Sequence, residues 1–233
     1  MVVCPPEPVY AGNSARTTFD LIIGGYIMTE ITLVRHGETN YNAKGLIQGA
    51  SSDMPLNDTG QEQAAALRGH LDMHRYDRIV SSDLLRAFST ARILNKDADL
   101  PIEQDERLRE LDPGDWDGHE VAPLKKEFPG AFDDLGFLTP DYAAVANGES
   151  FSAVRERMVA VTKDYVEKYP EGHLLFVSHG FAIRALVAEL LHLADVYQVA
   201  QMQNTGVARL TIKPDELMTR LVFYNRGFNE DIF

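Results

Sequence analysis

Two stretches far apart in this chain are built alike. Residues 33–38 read LVRHGE and residues 176–180 read FVSHG; each is an apolar, strand-like run that stops abruptly at a histidine followed by a glycine. Runs of this kind alternate along the chain with segments of helical period, which predicts an α/β sheet covered on both faces. In open α/β sheets, ligands bind in the crevice beyond the carboxyl ends of the strands. His36 and His179 fall at such ends. Gly37 and Gly180 are expected to let the backbone turn sharply and approach a ligand closely. The segment after each can aim backbone N–H groups at an anion. A lone strand-end histidine is as readily a structural hydrogen-bonding group; the matched pair points to a site.

The periodicities give the remaining elements. EITLV (30–34), YDRIVSS (76–82) and HLLFVSH (173–179) read as strands. Helices are expected at Ala64, Leu67 and Leu71, behind the capping residues of LNDTG, and at Leu84, Phe88 and Ala91. Two more follow at Val154, Met158, Val161 and Tyr165, and at Ile183, Leu186, Val187 and Leu190. GVARLTI (206–212) and RLVFYN (220–225) close the chain as a hairpin-like pair. The expected architecture is a three-layer αβα sandwich with a mostly parallel central sheet. Residues of about 112–150, rich in Gly, Pro, Asp and Phe, break the rhythm and read as a lid insertion within a single domain spanning 28–233. Met28 stands just before the first strand, so residues 1–27 read as an N-terminal extension or arm.

Charge narrows the function. A formal net charge of −13 argues against a nucleic-acid surface, where a basic footprint is expected. An anionic substrate must then be drawn in by local positive charge against the field of the whole chain. No run reaches the roughly 20 apolar residues that span a bilayer. Pro5-Pro6 and the absence of a basic leading segment argue against a signal peptide. The single cysteine, Cys4, fits a reducing compartment, so a cytoplasmic setting is expected.

Two further junctions carry chemistry. IVSSDLLRA (79–87) ends a strand, offers Ser81, Ser82 and Asp83 as caps, and puts Arg86 in the first turn of a helix. A cation there opposes the helix dipole by about 0.3–1 kcal/mol, which makes sense if an anion sits in front of it. The plainer alternative is a surface arginine tied to Asp83. RLRELDPGDWDGHE (107–120) supplies Glu110, a proton donor or a surface carboxylate. Its aspartates do not form a calcium loop: aligning Asp115, Asp117 and Gly118 with that motif puts Pro113 and Leu124 at ligand positions.

Taken in order, LVRHGETNYN, IQG, PLNDTGQEQA, SSDLLRAFSTA, LRELDPGDWDG, NGES and VSHGFAIR resemble the successive motifs of the histidine phosphatase superfamily, also called phosphoglycerate-mutase-like. The resemblance covers roughly residues 30–212. It implies that His36 is the nucleophile and becomes a phosphohistidine. It implies that Arg35, Arg86 and His179 hold the phosphoryl oxygens, and that Glu110 is the general acid that later helps activate water. Asn42, Gln48 and Gly49 match positions that contact phosphate or substrate, and Gly180 follows the second histidine. No metal or cofactor is implied, since guanidinium groups take the place of Mg²⁺. The implied partner is a small phosphorylated metabolite, and a homodimer is possible.

Within the superfamily the residues lean toward a phosphatase. The mutases that resemble this chain have Asn after the second His-Gly, where Phe181 stands here, and a longer basic insertion. Residues 112–150 are short and acidic, with Lys125 and Lys126 as their only cations. The alternatives are a cofactor-dependent phosphoglycerate mutase, a non-catalytic regulatory relative, and a metal-dependent hydrolase. Many phosphatases of the superfamily carry Arg two residues before the Gln-Gly pair; here that position is Leu46. Leu46, Phe181 and the group Phe128, Phe132 and Phe137 suggest a partly apolar leaving-group pocket, although the three phenylalanines also suit the small core of a lid.

Overall fold

The computed structural model describes residues 22–23 and 26–227. The extension expected over 1–27 lies outside the described residues apart from β1 (Ile22–Ile23) and β2 (Tyr26–Ile27), which pair antiparallel. The chain then alternates: β3 (Thr29–Arg35), α1 (Asn40–Lys44), α2 (Asp58–Arg68), β4 (Arg78–Ser81), α3 (Leu85–Leu94), β5 (Ile102–Gln104). It continues with α4 (Val121–Glu127), α5 (Tyr142–Ala146), α6 (Phe151–Lys168), β6 (His173–Ser178), α7 (Gly180–Leu190), β7 (Val207–Ile212) and β8 (Thr219–Arg226).

Six strands form one sheet in the order β5-β4-β6-β3-β7-β8. The first four run parallel, and β7 and β8 add an antiparallel hairpin at one side. The sheet is therefore mostly parallel and flanked by helices, as expected. Alternation along each strand sorts the two faces. Ile31, Leu33, Val80, Leu174 and Phe176 join the core beneath α6 and α7. Val34, Ile79, Leu175 and Val177 join the core beneath α2 and α3. Both faces of the central strands are buried, which is why they read as continuous apolar runs.

Helix details refine the sequence reading. Asn57 caps α2 by accepting from the Gly60 N–H at 2.8 Å. The buried face of α3 is Ala87, Ala91 and Leu94, with Phe88 only half-buried. None of Ser81, Ser82 and Asp83 caps α3, whose N-cap is Leu84; Asp53, from a distant loop, instead accepts from the Leu85 N–H at 2.6 Å. Helix α7 is buried almost all round, as its near-continuous apolar sequence requires.

Segment 112–150 holds α4, α5 and an aromatic cluster continuous with the core beneath α6 and α7. Trp116 stacks on Phe132, ring centroids 5.4 Å apart, and packs on Phe128 and Tyr142. Gly114 and Asn147 both adopt positive φ, and a Cβ on Gly114 would overlap the Ala146 carbonyl oxygen, so the segment's two ends are sealed together.

Candidate active site

Because β4, β6 and β3 are parallel neighbours, their carboxyl ends meet at one edge of the sheet. Register places Arg35 opposite Ser178 and Ser81 opposite Val177. The ladder extends one step beyond the strands, with His36 N–H donating to Ser178 O at 3.0 Å and Ser82 N–H to Val177 O at 2.9 Å. Sheet geometry alone thus brings the two His-Gly junctions and the Ser-Ser-Asp junction together.

The two imidazoles face each other with ring centroids 5.1 Å apart and planes tilted by 58°. His36 is 2% exposed and His179 fully buried. His36 Nδ1 lies 2.7 Å from the Gly37 carbonyl oxygen. A carbonyl only accepts, so Nδ1 carries the proton and Nε2 keeps its lone pair. Burial, then the neighbouring Arg86 and Arg35, holds His36 well below its ordinary pKa of 6.5, so the ring is neutral. His179 is pushed the same way by burial, Arg86, His36, Arg157 and Arg35. Its Nε2 is 2.8 Å from Ser82 Oγ, while Nδ1 is buried with no partner among the described residues.

Arg86 is fully buried, not a surface residue tied to Asp83. It donates from its terminal nitrogens to Ser52 O at 2.8 Å and Gly49 O at 3.0 Å. Asp83 turns outward to Arg109 instead, at 2.8 Å from Nε. Burial depresses Arg86 to about 10 despite the nearby Glu110, Asp53 and Asp117. Arg35 donates to Met202 O at 2.5 Å. Neither arginine forms an ion pair among the described residues, and the Nε of each is buried without a partner. Two buried cations with carboxylates near but none in contact are well placed to take a bound anion.

Glu110 follows the turn 106–108 that Ser178 Oγ anchors by donating to Leu108 O at 2.7 Å. Its carboxylate accepts from the Phe181 and Ala182 N–H groups at 3.1 and 3.0 Å, at the amino end of α7, and from Leu111 N–H at 2.9 Å. The helix end therefore holds an internal carboxylate. Asn42 and Thr39 fix Gln48 by donating to its Oε1 at 3.3 and 2.8 Å, which leaves the buried Gln48 Nε2 unpartnered.

Some of these groups border a cavity of about 230 Å³, whose lining does not include His36, His179 or Arg86. Arg35, Asn42, Gln48, Gly49 and Glu110 line its polar part; Leu46, Val121, Phe132, Phe137, Leu138 and Phe181 line the apolar part. The phenylalanines divide: Phe128 packs on Trp116, Phe137 lines the cavity, and Phe132 does both. Among the described residues no group of three or more His, Cys, Asp or Glu is placed to hold a metal ion.

The two glycines are also required by packing. Gly37 and Gly180 have no positive φ; a Cβ would overlap the Gly60 carbonyl oxygen at Gly37 and the Gln201 amide at Gly180. They permit protein to pack on protein. Sequence reasoning also missed Ser82 as a partner of His179, Asn204, which donates to His36 O at 3.0 Å, and Arg157, which donates to Arg107, Arg109 and Glu110 carbonyls at 2.8, 2.6 and 3.0 Å. Glu149, in the NGES stretch, is the ion partner of Arg157 at 2.7 Å.

Comparison with known proteins agrees with this geometry. The family described as Histidine phosphatase superfamily (branch 1) matches residues 31–225. The chain is 35% identical over 184 residues to a probable phosphoglycerate mutase GpmB of Cronobacter sakazakii, covering 78% of this chain and 85% of that one. It is 34% identical over 163 residues to the uncharacterized phosphatase PhoE of Bacillus subtilis, covering 70% and 78%. The solved mycobacterial glucosyl-3-phosphoglycerate phosphatase in complex with VO3 superposes with a TM-score of 0.75 at 30% identity, over 85% of this chain and 99% of that one. The Entamoeba histolytica phosphoserine phosphatase in complex with 3-phosphoglyceric acid superposes at 0.71 and 26% identity, over 86% and 98%. With its two His-Gly junctions joined at one sheet edge, this chain belongs to the histidine phosphatase superfamily, branch 1.

Proposed function

We propose that the chain is a metal-independent phosphatase that hydrolyses small phosphate monoesters through a phosphohistidine on His36. One observation carries this reading: His36 is a neutral imidazole whose Nδ1 proton is spent on Gly37 O, leaving Nε2 as an electron-pair donor beside two buried, unpaired arginines. Nε2 attacks phosphorus, the bond from phosphorus to the leaving oxygen breaks, and Glu110 supplies the proton that oxygen needs. Water then attacks the phosphohistidine, Glu110 takes the water proton, and inorganic phosphate leaves with His36 restored. The transferring group is anionic throughout, so Arg35, Arg86 and the His179 Nδ1 edge supply most of the stabilisation.

A phosphatase is favoured over a mutase because the lid offers the cavity no free cation. Lys125 is spent on the Asp133 and Asp134 carbonyls at 2.6 and 3.0 Å, and Lys126 is exposed and lies outside the cavity lining. Apolar Phe181 occupies the position after the second His-Gly. The compared proteins' names include both a probable mutase and phosphatases, so the mutase remains the second reading. The catalytic unit is the domain from residue 28, with 112–150 as its lid.

Rapid quenching with p-nitrophenyl phosphate tests the mechanism. An acid-labile, alkali-stable phosphoryl group is expected on the peptide containing His36, with turnover unaffected by chelators. His36→Gln with near-normal turnover, or label on another residue, sinks it. Interconversion of 2- and 3-phosphoglycerate faster than their hydrolysis establishes the mutase instead.

A further inference from the structure

The apolar half of the cavity contains one cation, Arg184, on the same face of α7 as Phe181. It is 4% exposed. Its guanidinium lies 4.5 Å from the Tyr197 ring centre and 5.1 Å from that of Phe137, and its Nε donates to Val199 O at 2.5 Å. The two terminal nitrogens bond to no described residue, and no carboxylate pairs with it among them. Asp133 and Asp195 favour its charge through space, but neither forms an ion pair with it, so its outer donors are left without a carboxylate in contact. The two ring faces and the Val199 carbonyl fix the plane of the fork without neutralising it. That leaves its two outer donors set for a planar, bidentate anion.

We infer that Arg184 is a second anion subsite, and that the substrate is a phosphate monoester whose apolar or aromatic body carries a carboxylate remote from phosphorus. The inference rests on the phosphatase reading for the word substrate, but not for the binding. Arg35 and Glu110 border the same cavity, so one molecule reaches from the phosphoryl clamp, across Phe132, Phe137 and Phe181, to Arg184. With apolar Leu46 at the cavity wall, Arg184 is the cation placed among the apolar lining residues to read the far end of the substrate.

Non-hydrolysable analogues test this apart from turnover. Calorimetric titration of the full chain with 4-(phosphonomethyl)benzoate and with benzylphosphonate is expected to show the carboxylated ligand binding about tenfold tighter or more, the usual gain from a charge-assisted pair of about 1.5–3 kcal/mol being at least that. In Arg184→Gln the ratio is expected to fall below about twofold, and in Arg184→Lys to lie between. Equal affinities in the wild type overturn the proposal, whether or not the variants fold. A ratio that survives Arg184→Gln overturns it as well, since a structural arginine weakens both ligands together. If the wild type keeps the preference but hydrolyses neither phenyl phosphate nor 4-carboxyphenyl phosphate, the phosphatase reading fails and the subsite stands.

Discussion

Arg157 grips Glu149 with two parallel hydrogen bonds, Nε to Oε1 at 2.7 Å and Nη2 to Oε2 at 2.9 Å, while its remaining donors hold three carbonyls around Glu110. Glu149 in turn accepts from Asp112 N–H at 3.2 Å. The pair therefore sets the backbone of the turn that presents Glu110. Arg157→Met leaves a carboxylate and three carbonyls short of donors, and is expected to cost about 2–3 kcal/mol of stability. Its kcat is expected to fall about tenfold or more with KM changed less, because Glu110 loses its placement. Arg157→Lys restores charge without the fork and should recover stability more than kcat. Denaturant melts and steady-state kinetics on both variants check this; equal losses in kcat for Met and Lys, with no stability change, would refute it.

Ser82 is expected to direct His179. Its Oγ accepts from Leu84 N–H at 3.3 Å, so its own proton is available to His179 Nε2, and the ring proton then sits on the unpartnered Nδ1. Ser82→Ala removes that choice of tautomer. A loss in kcat of about tenfold is expected, on the scale of one misplaced hydrogen bond to a transition state, together with a shifted pH profile. A variant that melts lower but keeps the wild-type kcat and profile assigns Ser82 to packing alone.

Gly37→Ala tests the packing role of this glycine. The added methyl meets the Gly60 carbonyl, a backbone atom at the start of α2 that cannot step aside as a side chain can. A loss of about 2 kcal/mol is expected, or roughly 4–8 °C in Tm for a chain of this size. Gly130→Ala, where nothing lies within 4 Å of the new Cβ, is the control and should move Tm by about a degree or less. Equal melting of the two variants would return Gly37 to the role of a ligand-facing turn.

These residues also mark how far the sequence could be read. His36, His179, Arg86 and Glu110 were legible because each follows a strand or turn, and parallel pairing must bring such ends together. Arg157 was not: it acts across about fifty residues on carbonyls, and a backbone acceptor leaves no signature in a sequence. Arg184 reads as one more residue on a helix until α7 proves buried all round. The packing demand at Gly37 was not legible, because a glycine demanded by a neighbour's backbone looks the same, in sequence, as one demanded by a ligand. Strand β5 escaped because three residues at a sheet edge, none of them buried, carry no apolar alternation. The phenylalanines of 112–150 suited two roles in sequence, and the structure puts two of the three, Phe132 and Phe137, at the cavity.

The last prediction concerns pH. His36 and His179 are each held neutral in the fold, by burial first and then by Arg86, so both bind a proton less readily folded than unfolded. Below the ordinary value of 6.5 the unfolded chain therefore takes up protons that the folded chain refuses. Stability is present in full above that pH and is lost as the pH falls through it. Between about pH 7 and pH 5 the wild type is expected to lose unfolding free energy, and the double variant His36→Gln, His179→Asn to lose measurably less over the same interval. The same shift keeps His36 Nε2 unprotonated in mild acid, so the acid limb of kcat/KM is expected below 6.5 rather than at it. Denaturant titrations across this range, with kcat/KM for p-nitrophenyl phosphate measured alongside, decide the matter. Parallel stability curves for wild type and double variant would show that neither histidine is held neutral, and would remove the ground for His36 as an attacking group at those pH values.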